Sequence, residues 1–319
     1  MSMEAAGEVA QRGLIVMGWP FICLALSKAT PLLLGALGGI LCELSGVINF
    51  ALEGMMLAGA FGAMWATFVF QSPWMGILGG IGGGMVIAGL HAIACLNLRA
   101  NQIVSSIALN LLAAGTTGML LNQVFKVYGT SPTVKRLPEL GQFLSATFPD
   151  FGVWMVPFLG SLSILGPAAL ILGLAMLGFF KWATWGLHIR ACGENPLAAE
   201  AAGISVGRTR FFAVLMSGSL AGLGGAYLAV GELSQFVEHI TQGRGYLAIA
   251  ALILGRWKPL GVLWATLLFG LSDAASESLA VQWSGMPNQF FLALPYLVCF
   301  AALMLRLGKN HPPSALGKL

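Results

Sequence analysis

The stretch MGILGGIGGGMVIAGLHAIACLNL, residues 75–98, runs for twenty-four positions without an Asp, Glu, Lys or Arg. A helix needs about 20 largely apolar residues to cross the hydrocarbon core of a bilayer, and this run reaches that length on its own. Outward from it, comparable runs recur at 13–28, 30–43, 51–70, 102–121, 153–180, 209–230, 244–256, 259–280 and 288–306. The fold class they imply is all-α: a polytopic membrane protein of about ten transmembrane helices, some short or broken, forming one domain over 1–319. The runs at 30–43 and 244–256 are short. Each is either a minimal crossing or half of a broken or re-entrant helix, which is tolerated only where protein or water covers the freed backbone groups.

Composition excludes a water-dispersed exterior. Of the 319 residues, 57% are hydrophobic and 9% charged, where a soluble chain carries roughly 25% charged residues. Lipid must therefore be the solvent for much of the surface. The net charge of +4 is scattered in ones and twos between apolar runs, which is not the clustered patch that nucleic acid requires. Cys23, Cys42, Cys95, Cys192 and Cys299 are odd in number and lack C-x-x-C spacing, so they read as reduced packing residues. The first charges are Glu4 and Glu8, and no small-residue cleavage site precedes the apolar chain, so no removable leader is expected.

Ten alternating spans sort the basic residues unevenly. One side receives Arg12, Arg99, Lys181, Arg190, Arg208, Arg210, Arg256, Lys258, Arg306, Lys309 and Lys318; the other receives Lys28, Lys126, Lys135, Arg136 and Arg244. Eleven against five puts the first group in the cytoplasm by the positive-inside rule. Both termini and the loop at 181–208 are expected there, with the loop at 122–152 outside.

The 181–208 loop contains its own helix signal. Asn195 is an N-cap, Pro196 suits the first helical position, Leu197 to Ala202 favour helix, and Gly203 fits the residue after the end. So short a helix is unstable alone in water, and must be held by its flanking spans or by a partner protein. The 122–152 segment, with Pro132, Pro138 and Pro149, is longer than packed helices need between them. It is either a connector or a docking surface for an external protein. Glycines such as Gly35, Gly38, Gly39, Gly79, Gly80, Gly82, Gly83 and Gly84 read as helix-crossing positions, because no preceding strand or G-x-G-x-x-G spacing supports a dinucleotide site.

Ionisable groups inside spans cost at least ~2.5 kcal/mol and usually face a partner or water. Glu43, Glu53, Asp273 and Glu277 are such groups. If residues 46–59 (GVINFALEGMMLAG) are helical, Asn49 and Glu53 lie one turn apart on one side. Gln102, Ser105, Ser106 and Asn110 add neutral polar groups in the fifth run. Asn49, Glu53, Gln102, Ser106 and Asn110 are candidates to line a pathway for hydroxyl-rich or heterocyclic solutes; the alternative is that they tie helices together. Asp273 and Glu277, near a span end, read as solvated at the interface. His91, His188, His239 and His311 show no metal-ligand spacing, and no nucleophile motif appears. No metal, cofactor or catalytic site is expected on this chain.

Four segments together resemble the permease subunits of bacterial ATP-binding-cassette (ABC) importers: ELSGVINFALEGMMLAGA (43–60), QIVSSIALNLL (102–112), RACGENPLAAEAAGISVG (190–207) and GRGYLAIAALILGRWKPLG (243–261). The likeness covers most of the chain and is greatest to the nucleoside and simple-sugar branch of the ribose and branched-chain amino acid permease family. It implies import of nucleosides or related small solutes by alternating access across the bacterial inner membrane. Simple sugars, riboflavin-like molecules and branched-chain amino acids are the alternative solutes. It also implies a second permease subunit, expected to be a different and longer chain with a homodimer as the alternative, together with an external solute-binding protein and ABC ATPase subunits that carry ATP and Mg. No P-loop pattern occurs in this chain, so the ATPase is expected to be separate. By this resemblance Glu194, Asn195, Pro196, Ala199, Glu200 and Gly203 form a coupling helix that docks into the ATPase. No Ile-x-Leu-Pro follows Gly203, a departure from the broader importer signature. A secondary transporter is the rival class, and would show a repeat between the two halves; none is evident.

Overall fold

A computed structural model describes residues 18–147, 162–283, 285, 287–305 and 312–318. Its long helices are α1 (Trp19–Leu44), α2 (Leu52–Phe70), α3 (Pro73–Ala92), α4 (Gln102–Phe125), α6 (Leu165–Trp182), α9 (Val206–Ala226) and α11 (Pro259–Gln282). The shorter ones are α5 (Leu140–Thr147), α7 (Thr184–Glu194), α8 (Pro196–Ala201), α10 (Arg244–Leu254), α12 (Asn288–Leu292) and α13 (Leu294–Met304). Helix α3 ends in a π-helical turn, Ile93–Asn97, and α9 in another, Tyr227–Glu232.

Among the described residues seven helices are long and apolar enough to cross a membrane, and the stretches Arg244–Leu254 and Gln289–Met304 are shorter apolar helices. The expectation of about ten is not confirmed among these residues, and its division of the first apolar stretch is corrected. The runs 13–28 and 30–43 do not form two spans, because α1 continues through Lys28 and Pro31 as one helix of 26 residues, about 39 Å long. Lys28 looked like a loop charge between two runs. Its ammonium instead meets Glu232 at 2.7 Å and Glu277 at 2.9 Å, and a paired cation can stay inside a helix bundle. The parts of the expected spans and loops at 13–17, 148–161 and 306, with the N-terminal position, fall outside the described residues.

Helix α1 is the axis of the bundle: Leu32, Leu33, Leu34, Leu37, Ile40 and Leu41 are all essentially inaccessible. One core cluster joins it to α6, α10 and α11; a second joins α2, α3, α4 and α9. In the second, small residues set the spacing. A Cβ on Gly222 of α9 would overlap the Gly80 carbonyl oxygen of α3, and one on Gly225 would overlap the Met56 carbonyl oxygen of α2. Glycine thus lets backbones touch where lipid gives apolar side chains no reason to pack, as expected for Gly79, Gly80, Gly83 and Gly84, whereas Gly82, expected among them, meets nothing within 4 Å. The five cysteines are buried and none is in a disulfide, as expected of packing residues.

Two ends of the bundle can be told apart by their contacts. At one, Arg210, Cys192, Ser45 and Lys318 meet, and Trp257 donates to Glu43 at 2.6 Å. At the other, segment 129–137 pairs with 230–238: Ser131 donates its N–H to Phe236, Val134 to Ser234 and Leu137 to Val230, all within 2.9 Å. The 122–152 stretch is therefore no loose connector in its described part; it is zipped onto the loop after α9 and then forms α5.

A contrast between two glycines tests this packing. Gly222→Ala should lower stability by about 1–3 kcal/mol through overpacking. Gly82→Ala, which meets nothing within 4 Å, should be neutral or stabilising by up to about 1 kcal/mol. Thermal unfolding of detergent-purified variants measures both, and equal effects would contradict the crossing described.

Candidate functional site

Residues 45–51 between α1 and α2 are not helical, yet Ser45, Val47, Asn49 and Ala51 are buried. Their backbone groups need partners inside the protein, and α4 supplies them. Gln102, Ser106 and Asn110 recur every four residues, so one face of α4 presents a ladder. Gln102 Oε1 accepts from the Ile48 N–H (2.6 Å), Ser106 Oγ from the Phe50 N–H (3.2 Å) and Asn110 Oδ1 from the Gly54 N–H (2.8 Å). Asn110 Nδ2 donates to the Phe50 carbonyl at 2.9 Å and to Tyr246 Oη of α10 at 3.0 Å. From α3, His91 Nε2 lies 3.1 Å from the Ile48 carbonyl oxygen, and Nδ1 lies 3.1 Å from Ser105 Oγ. Among the described residues the ladder leaves Gln102 Nε2, a buried donor, without a partner.

The structure separates Asn49 from Glu53. The stretch before Leu52 is not helical, so the two do not share a face. Asn49 Nδ2 donates to Ser217 Oγ of α9 at 3.0 Å, and its Oδ1 accepts from the Ala51 N–H. Glu53 turns toward α10. Its Oε1 accepts from Thr241 Oγ1 (2.5 Å) and the Gly243 N–H (2.9 Å), and its Oε2 accepts from the Gly245 N–H (2.7 Å). The carboxylate thus satisfies orphan N–H groups at the start of α10, where the helix dipole favours an anion.

Beside that start lies a cavity of about 270 Å³ lined by Leu32, Gln242, Arg244, Leu247, Phe269, Asp273, Leu292, Pro295 and Tyr296. Two adjoining hollows of about 520 and 210 Å³ share Lys28, Gln242 and Arg244. Arg244 faces Asp273 at 3.5 Å, so Asp273, like Glu277, is ion-paired rather than merely solvated. Gln242 has left-handed backbone (φ 47°) and accepts a 2.7 Å hydrogen bond on its carbonyl from Tyr296. Lys28, Arg244, Gln242 and Tyr296 were not singled out from sequence as site residues. The available signal was a set of charges of both signs at the ends of apolar runs.

The 181–208 loop holds two helices. Helix α8 has the caps read from sequence: the Asn195 side chain accepts from the Ala198 N–H at 3.1 Å, Pro196 is the first helical residue, and Gly203 takes φ 83°. The preceding α7 was not expected, and α8 is anchored through Ala199 onto Cys192 of α7 and Val206 of α9. Glu194, Asn195, Glu200 and Gly203 are exposed and Pro196 is partly so, but Ala199 is only 4% exposed and faces inward. Leu197, absent from the sequence-derived set, is 79% exposed. Burial pushes the Cys192 thiol above its usual range.

The chain matches, over residues 21–303, the model of the family described as the branched-chain amino acid transport system permease component. It belongs to that permease family. It is similar to the guanosine ABC transporter permease protein NupQ of Bacillus subtilis, 35% identical over 302 residues, covering 91% of this chain and 92% of the relative. It is equally similar to the nucleoside ABC transporter permease protein NupC of Lactococcus lactis, 35% identical over 312 residues with the same coverage. A putative glucose ABC transporter permease protein of Haloferax volcanii is 35% identical over 262 residues, covering 79% of this chain and 76% of the relative. No solved structure matches significantly.

In this permease the α4 ladder faces inward, while Ile103, Val104, Ile107 and Leu111 of the same helix are exposed. One face of α4 therefore organises the subunit and the other is free for lipid or a second subunit. Glu53→Gln should expose the role of the α10 anchor. The amide keeps one acceptor but sets an NH₂ against a backbone N–H, and loss of a hydrogen bond to a charged group costs about 1.5–3 kcal/mol. Faster hydrogen exchange confined to 241–250 is the expected readout; exchange unchanged there would contradict the clamp.

Proposed function

We propose that this permease is one of two membrane subunits of an ATP-driven importer that moves nucleosides into the bacterial cytoplasm. The observation that carries the reading is α8: a capped, water-exposed helix anchored on the bundle, projecting Leu197 and Glu200 where a partner can grip them. An exposed leucine on a helix of under two turns has no packing role among the described residues, and fits insertion into an apolar groove of a separate ATPase bearing ATP and Mg. Leu197 thereby joins Glu194, Asn195, Pro196, Glu200 and Gly203 as the ATPase-facing set, with Ala199 as its inward anchor.

Two features support the direction and the solute. The described basic residues near α8, Arg190, Arg208, Arg210, Arg256, Lys258 and Lys318, lie at one end of the bundle, which the positive-inside rule puts in the cytoplasm. The C-terminal segment would then be cytoplasmic, and the 122–147 stretch and the 233–243 loop would face an external binding protein. The hollows around Gln242 carry both signs of charge, already paired, beside Phe269 and Tyr296. Such a lining suits a neutral heterocycle with hydroxyls better than an ion. The names of the Bacillus and Lactococcus relatives favour nucleosides, and that of the Haloferax relative favours a sugar as the second reading. Asn49, Glu53, Gln102, Ser106 and Asn110 act in this scheme by holding the segment and helix that border the path. The exposed face of α4 is offered to the second permease subunit, a different and longer chain.

The mechanism is alternating access. ATP closes the ATPase dimer, α8 follows, and the bundle changes which end is open; the bias equals the difference in contacts between the two states. In vesicles holding the whole transporter, uptake of labelled nucleoside should require ATP, stop with vanadate, and be displaced by unlabelled nucleoside but not hexose. Displacement by hexose alone would favour the sugar reading, and uptake without the ATPase would refute the importer. The Pro196→Ala/Glu200→Ala pair should cut uptake about tenfold, the equivalent of about 1.4 kcal/mol of lost coupling, with insertion intact. A Leu197→Cys chain should react with an impermeant maleimide only from the ATP-accessible side, against little background from the buried native thiols.

A further inference from the structure

Arg210 lies one turn into α9 and is only 5% exposed, yet among the described residues no carboxylate stands within ion-pair distance of it. Its guanidinium donates to three backbone carbonyls on three separate segments. Nε reaches Ser45 at 3.0 Å, the residue that caps α1; Nη2 reaches Cys192 at 3.4 Å, in the last turn of α7; and Nη1 reaches Lys318 at 3.1 Å. Buried charge demands compensation. Here it comes from the carbonyl-bearing, negative ends of two helices.

The segment 314–318 closes the same junction. Ala315 donates its N–H to the Gly193 carbonyl at 2.8 Å, Gly317 to Gly46 at 2.9 Å, and Ser314 Oγ to Glu194 at 3.0 Å. The ends of α7 and α1 also abut directly, since a Cβ on Gly193 would overlap the Leu44 carbonyl oxygen. Gly193 and Glu194 lead through Asn195 alone into α8; Ser45 and Gly46 lead into the unwound 47–51 stretch held by the α4 ladder. One cation and one strap thus join the exposed helix to the irregular segment inside the bundle.

We propose that Arg210 and the strap are a positioning device that passes the displacement of α8 to the 45–51 segment; this rests on the coupling role of α8 proposed above. The planar guanidinium can serve three acceptors in different directions, which a lysine ammonium of the same charge cannot do with the same reach. A displaced α7–α8 unit therefore pulls on α1 and 45–51 instead of slipping past them.

The test uses the complete transporter with its second permease, ATPase and binding protein, and reads nucleoside taken up per ATP hydrolysed. Arg210→Lys keeps the charge and should assemble, retain hydrolysis, and lower uptake per ATP about tenfold, within the range reported for coupling networks. Ala315→Pro deletes the N–H given to Gly193 without touching a charge, and should lower the ratio about threefold. Should Arg210→Lys fail to assemble, the proline variant decides alone. Uptake and hydrolysis falling together, with their ratio unchanged, would show a merely structural junction and overturn the proposal, as would a wild-type ratio in the assembled variants. Absence of ATP-driven uptake in the wild-type transporter would instead refute the reading of α8 on which it rests.

Discussion

Inside an apolar bundle every backbone N–H and carbonyl must find a partner, and the fold of this permease turns on how residues 45–51 meet that demand. The chain there leaves the helix, and an unwound backbone at that depth is stable only when side chains take over its hydrogen bonds. The α4 ladder of Gln102, Ser106 and Asn110 does so from one side, and His91 of α3, held in turn by Ser105, from another. The break lets α2 start beside α10 and sends Glu53 to the head of that short helix. An unbroken helix through Asn49 would have left Glu53 one turn along on the same face.

The same constraint explains the charged groups. Lys28, Glu232 and Glu277 form one paired set, and Arg244 with Asp273 another. Each ion meets an opposite charge from another part of the chain, and Lys28 is shared between two carboxylates. They border the hollows at the head of α10, while Glu53 fixes that head from behind. At the other end of the bundle Arg210 plays the complementary part with carbonyl groups alone. The molecule thus has two polar junctions separated by an apolar axis, α1, whose inaccessible leucines give a bending motion little room to dissipate.

Local signals were legible in proportion to how local their physics is. Asn195, Pro196 and Gly203 announced α8 because capping acts within one turn, and the structure places the cap hydrogen bond at Asn195 as read. The glycine clusters announced close crossings because a missing Cβ is a property of the residue itself. Ala199 was read with the exposed coupling residues, but it faces inward, since α7, which had no clear signature, packs beneath it. Leu197 carries no sign of its exposure in the sequence, because a leucine beside apolar runs is distinguished only by neighbours that the fold places elsewhere.

The sequence by itself determined that the chain lives in lipid, that it is helical, and that a short capped helix interrupts the apolar runs; these depend on composition and on interactions spanning a few residues. Only the tertiary structure decided that α1 passes unbroken through Lys28, that Asn49 and Glu53 serve different helices, and that Arg210 ties three segments together. In each case the deciding partner lies many positions away in sequence: more than 150 separate Lys28 from Glu232, Glu53 from Gly245 and Arg210 from Ser45. The energy of a buried polar group is set by what it meets in space, and no pattern along the chain encodes that meeting.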